Sequence, residues 1–95
     1  MKGYVVCVYK SIENEKLLKK YAESAIPAIE KYKGKIIVRG GKKLTIEGKD
    51  SPRTVVIEFP SFEAAKNYYY SKEYQKAHSF LKGTVVRDFQ IVEGP

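Results

Sequence analysis

The chain contains one cysteine, one histidine, one methionine, no tryptophan and only three arginines. A lone Cys7 cannot close an internal disulfide, so the chain does not read as a disulfide-stapled secreted scaffold, and a reducing, cytoplasmic setting is expected. With no spaced set of His and Cys, the usual zinc-ligand patterns are missing, and no metal is expected. Gly40-Gly41 lacks the strand–turn–helix context of a phosphate loop, so it reads as a bulge, and no cofactor is expected. No apolar run approaches the roughly 18 residues of a membrane span. The first residues, MKGYVVCVYKSIEN, alternate like a strand and lack a small-residue cleavage pattern. What remains is a single domain over residues 1–95, of a size at which one core is just adequate.

The net charge of +7 raises the question of nucleic acid, and the texture of that charge answers it. Of eighteen cations, fifteen are lysines scattered from Lys2 to Lys82. Arginine, the residue of forked phosphate and base contacts, occurs only at Arg39, Arg53 and Arg87. A dispersed lysine surface reads as a solubility feature and argues against a nucleic-acid module.

The stretch that organises the chain is Arg53–Tyr74, RTVVIEFPSFEAAKNYYYSKEY. Thr54–Phe59 is a β-branched and aromatic run, the composition of a strand buried on both faces. Pro60 stops it, Ser61 caps a helix opening at Phe62, and Ser71 caps a second, short helix. Upstream, Gly3–Lys10 alternates Tyr4, Val6 and Val8 against Val5, Cys7 and Tyr9, with neither face polar. Asn14 caps a helix in which Leu18, Ala22, Ala25, Ile29 and Tyr32 recur at helical spacing. Pro27, inside that pattern, is expected to bend or divide the helix near Glu23–Ile26. Lys35–Arg39 forms a second strand. It is expected to bulge at Gly40-Gly41 and resume as Lys43–Glu47. Thr84–Glu93 closes the chain as the last strand.

Strand, helix, hairpin, helix, strand is the split βαβ order of the α+β, ferredoxin-like βαββαβ fold, with a four-stranded antiparallel sheet and both helices on one face. Val55, Ile57 and Phe59 are expected to meet the helices, leaving Thr54, Val56 and Glu58 outward. That outer face is too apolar to stay in water. Covering several hundred Å² of it is worth several kcal/mol at about 25 cal/mol per Å². A second copy is the simplest cover, so a homodimer through the helix-free sheet face is expected. An RNA-recognition module shares the topology but needs aromatic platforms there, and Thr54 and Val56 cannot stack a base.

The strings KGKIIVRGG, IEG, RTVVIEFPSFEAA, YYYSKEYQ and IVEG, in that order, resemble the family catalogued as domain of unknown function 1330. That family belongs to the dimeric α/β-barrel superfamily. The resemblance implies two ferredoxin-like subunits whose sheets close one barrel with the helices outside, and it implies no agreed reaction.

Five residues are candidates for a ligand pocket at the edge between sheet and helices: Arg39, Glu58, Tyr69, Tyr74 and His78. Arg39 and Glu58 are charges in apolar strand segments of one hairpin. They either orient a small acid or enol, or form an ion pair that fixes the hairpin register. His78 is the sole histidine, a general base or a helix-boundary residue. Among Tyr68, Tyr69 and Tyr70, at least one must face the core and one the solvent. Cys7, on a buried strand, reads as inert. Three functions remain open: a homodimer that binds a small organic molecule between sheet and helices, a non-catalytic assembly or regulatory dimer, and, last, a basic nucleic-acid binder. If the chain is an enzyme, cofactor-free oxygenase- or isomerase-like chemistry is the expectation.

Overall fold

The computed structural model describes residues 1–95 as β1 (Gly3–Ile12), α1 (Glu15–Lys31), β2 (Lys35–Arg39), β3 (Arg53–Phe59), α2 (Phe62–Tyr70), α3 (Lys72–Ser79) and β4 (Val85–Glu93). Local side-chain chemistry sets where each helix begins. Asn14 accepts from the Leu17 N–H at 3.0 Å, Ser61 from Ala64 at 3.0 Å and Ser71 from Tyr74 at 3.1 Å, so each cap satisfies one orphan donor. Ser71 also donates its hydroxyl to the Tyr68 carbonyl at 2.7 Å. One side chain therefore closes α2 and opens α3.

The sheet runs β2-β3-β1-β4, every neighbour antiparallel. This is the ferredoxin-like fold. Val5, Cys7 and Tyr9 of β1 and Ile57 and Phe59 of β3 are buried on the helix-covered face against Leu18, Tyr21, Ala25 and Ile29 of α1 and Ala65 and Tyr68 of α2. Tyr68 faces the core and Tyr70 the solvent, as three consecutive helical tyrosines require. The opposite face carries Val6 opposite Val56, and Val56 opposite Val38. No helix lies over it. Val38, Val86 and Val92 remain 42%, 59% and 45% exposed along its edges.

Two expectations are corrected. Of the bend or division expected at Pro27, the division does not occur: α1 is continuous from Glu15 to Lys31. The missing proline N–H leaves the Glu23 carbonyl without its intrahelical donor, but Glu23 and Pro27 are both exposed, so water can serve that carbonyl. The hairpin arm also differs from its expected form. Its bulge lies at Ile37, where Ile36 opposes Ile57 and Val38 opposes Val56, and no strand resumes at Lys43–Glu47. Gly40, at φ +62°, turns the chain out of the ladder. A polar cluster then closes the loop, with Thr45 donating to Asp50 at 2.6 Å beside the Lys43–Asp50 ion pair.

The bulge has a consequence for chemistry. With regular alternation, Val38 would share the helix-facing side with Ile36, and Arg39 would point outward. The extra residue reverses the order and sets Arg39 opposite Val55, on the helix side.

Because α1 runs unbroken through Pro27, Pro27→Ala restores a helical hydrogen bond. It is expected to raise stability by about 1–3 kcal/mol. Chemical denaturation measures this, and an unchanged or lower midpoint would show that the ring makes packing contacts that outweigh the bond.

Candidate functional site

Strand register carries three residues into one row across the sheet. Tyr9 of β1 lies opposite Arg53 on β3 and opposite Arg87 on β4. The next row holds Arg39, Val55, Cys7 and Phe89. Above these rows α1 supplies Leu18, Tyr21 and Ala22, which share one helix face by their spacing. Together they enclose a cavity of about 60 Å³ between sheet and helix, with ten hydrophobic residues among its thirteen. Its charged residues are Arg39, Arg53 and Arg87, all the arginines the chain has.

Arg87 is the most elaborately held of the three. Its Nη2 donates to Tyr74 Oη at 2.8 Å, and its Nη1 to Tyr21 Oη at 3.2 Å and Tyr9 Oη at 3.3 Å, with Cys7 Sγ 3.7 Å away. The phenols of Tyr21 and Tyr74 are themselves 2.9 Å apart. The guanidinium also lies 4.9 Å from the ring centre of Phe89 and 5.2 Å from that of Tyr21, within cation–π range. No carboxylate pairs with it: the four ion pairs of the molecule all use lysines.

The environment keeps the neighbouring groups neutral. Burial pushes the Tyr9 phenol up to about 12, the nearby phenol of Tyr21 adds to the rise, and Arg87 opposes it. Burial likewise raises Tyr68 and Tyr74. The Cys7 thiol is raised by burial against the opposing pull of Arg87, so it is a protonated wall of the cavity and not a nucleophile. His78 is lowered, first by burial and then by Arg87, which favours neutral imidazole at pH 7. The arrangement offers N–H and O–H donors in an apolar enclosure. Such a set can bind an acceptor or stabilise developing negative charge. No three His, Cys, Asp or Glu side chains come together as metal ligands.

The five residues singled out from sequence divide by location. Arg39 lines the cavity from its exposed end. Tyr74 is fully buried and acts through its hydrogen bond to Arg87. Tyr69 and His78 line a second, open groove of about 430 Å³ that shares Arg87 and Phe89 with the cavity. Glu58 stands apart, on the helix-free face, opposite Lys35 and 3.2 Å from Lys2 Nζ. Arg39 and Glu58 therefore neither pair nor converge. Sequence reading missed Arg53, Arg87, Tyr9 and Tyr21 as site residues. For Arg87 a signal existed: in Val85, Arg87, Phe89, Ile91 it is the one charge on the apolar alternation of the last strand.

A ferredoxin-like subunit with an arginine-lined cavity under its helices is the class of protein this geometry defines. The chain belongs to the family described as domain of unknown function (DUF1330), whose profile matches residues 2–95. No curated protein matches it. Among solved structures it is similar to a Rhodopseudomonas palustris protein of unknown function, with 14% identity and TM-score 0.77 over 99% of this chain and 82% of that one. It is also similar to a dimeric ferredoxin-like protein of unknown function from Bacteroides fragilis, with 16% identity and TM-score 0.65 over 98% and 96%. A third is a Caulobacter crescentus protein provisionally named an antibiotic biosynthesis monooxygenase, with 14% identity and TM-score 0.58 over 99% and 90%. At these identities the likeness is one of fold.

The raised phenol of Tyr9 has a pH consequence. Its folded value, about 12, lies above the ordinary value of 10, so the stability it reflects is intact below pH 10 and is lost as pH rises from 10 through 12. Alkaline titration of phenolate absorbance should show Tyr9, Tyr68 and Tyr74, of the eight tyrosines, resisting ionisation until the protein unfolds. Full ionisation of a still-folded protein near pH 10 would contradict the packing around Arg87.

Proposed function

We propose that this chain forms a homodimer through its helix-free sheet face and that each subunit binds a small organic molecule in the cavity between sheet and α1. The observation that carries the binding half is the cavity itself: an apolar space of about 60 Å³ with a guanidinium, held by phenols, in its wall. A well-packed core excludes such a space and keeps charge out of it, so the feature stands out against an ordinary interior. The pairing half rests on Val6, Val38 and Val56 lying uncovered on one face, and on structures of the same fold being described as dimeric.

If the dimer is also a catalyst, cofactor-free oxygenase- or isomerase-like chemistry is the class to assay. Arg87 and the neutral phenol of Tyr9 are placed to stabilise an oxyanion that forms beside them. The name of the Caulobacter neighbour points the same way only as an analogy of fold.

Two measurements test the two halves. Light scattering at micromolar concentration is expected to return a dimer of the 10.8 kDa chain, and Val56→Asp is expected to give monomer or insoluble protein by burying an unpaired charge. A monomeric wild type would remove the pairing half. A metabolite panel read by thermal shift is expected to yield stabilising compounds for the wild type and none for Ala22→Leu, which fills the cavity from α1. Compounds that stabilise both proteins equally would place binding elsewhere.

A further inference from the structure

The inference concerns what the cavity takes, and it rests on the reading that the cavity binds a small molecule. The chain's cations are sorted by type. All three arginines line this one cavity, whereas every ion pair in the molecule belongs to a lysine. Each arginine is brought there by a separate device. Arg87 sits on the inward alternation of β4 and is fixed by three phenols. Arg39 is turned inward by the bulge at Ile37. Arg53 lies half-buried against Gly40, where an added Cβ would come within 2.9 Å of its Nη1.

Three permanent cations gathered on a largely apolar wall repel one another; Arg53 and Arg87, half-buried, also give up part of their hydration, Arg39 stays exposed, and no carboxylate lies inside the enclosure. Glu15 and Glu23 of α1 border the outer side of Arg39 and Arg53, but neither forms an ion pair with them. Phenols solvate Arg87 and water reaches Arg39, but no side chain of this protein supplies a negative charge inside the cavity, so an anion from outside the chain is the group that would complete it. Adjacent strands lie about 4.8 Å apart, so Arg53 and Arg87, one strand removed on either side of Tyr9, start about 10 Å apart. Two arginine side chains of that separation can close on one anion between them, and a carboxylate suits two guanidiniums through paired N–H···O bonds.

The walls decide which anion. Val55, Ile57, Ile36 and Leu18 offer no hydrogen bonds, which a free phosphate would need on every side but the alkyl part of an organic acid would not. By the volume that one water-sized group needs, the space holds on the order of four to six non-hydrogen atoms. We propose that the cavity takes a short-chain monocarboxylate, its carboxylate held between Arg53 and Arg87, Arg39 at the mouth, and its alkyl part against Val55 and Ile57.

The test titrates the full-length protein at constant ionic strength with sodium acetate, propionate and butyrate, beside acetamide, propionamide and butyramide, and with inorganic phosphate. Binding is followed by backbone NMR shifts. The acids are expected to bind at least tenfold more tightly than their amides and to shift Val55, Cys7 and Arg87. Arg53→Gln and Gly40→Ala, which removes or displaces one arm, should each weaken the acids at least tenfold and leave the amides unchanged. Equal binding of acids and amides would overturn the charge assignment while leaving the cavity reading standing. Phosphate binding more tightly than every carboxylate would overturn the organic acid. Acids that bind Arg53→Gln as well as wild type would place the binding on surface lysines and overturn the site. No binding by any probe would overturn this proposal, and a blank metabolite panel beside it would remove the cavity reading as well.

Discussion

Arg87 enters the interior as a permanent cation with no carboxylate in ion-pairing distance, so it must be solvated by oxygens and rings the fold supplies. Those oxygens come from three different elements: Tyr9 on β1, Tyr21 on α1 and Tyr74 on α3. Holding one guanidinium thereby ties the last strand to the first strand and to helices α1 and α3. The aromatic side chains extend the tie. Phe59, Tyr68, Tyr74, Tyr69 and Phe89 stack in sequence with centroids 4.8–5.1 Å apart and so connect β3 through α2 and α3 back to β4. Hydrogen bonds to a charged group are stronger than neutral ones and leaving such a group unpaired is costly, so the phenols and the arginine hold one another in place.

How much of this was legible in the sequence depends on whether the signal is local. The caps Asn14, Ser61 and Ser71 are local, and each marks a helix start within one residue. The alternation that sent Val55, Ile57 and Phe59 inward is local too, and it also sent Glu58 outward, away from any cavity under the helices. Pro27 failed as a breaker because what decides its cost is whether the Glu23 carbonyl reaches water, a property of packing. The bulge was expected at the glycines, yet it falls at Ile37, since register is settled by which side chains fit opposite Ile57 and Val56. Convergence of residues 9, 21, 74 and 87 depends on that non-local register. Only the anomaly of Arg87 on an apolar alternation could have pointed to it.

The two faces of the sheet differ in chemistry. On the helix side, an apolar enclosure meets hydrogen-bond donors, the combination that recognition of a small molecule requires. On the bare side, Val6, Val8, Val38, Val56 and Val92 lie among Thr54, Gln90 and the ion pairs Lys2–Glu58 and Lys10–Asp88. A surface of that kind has area to bury but little to orient a ligand with, which suits it to packing against another surface.

The distribution of cations joins these points. Scattered lysines argued against nucleic acid on composition, and the structure gives the complementary half: the arginines are not scattered at all. Lysine's compact, strongly hydrated ammonium belongs at a wet surface, whereas the planar and weakly hydrated guanidinium tolerates partial burial and stacks on aromatic faces. That difference lets a chain of net charge +7 keep one kind of cation for solubility and gather the other around a largely apolar cavity. An arginine-to-lysine exchange at position 87 would preserve net charge but lose the fork that reaches Tyr9, Tyr21 and Tyr74 together. The sorting by side-chain type, more than the sum of charges, is what separates a cavity from a merely basic surface in this fold.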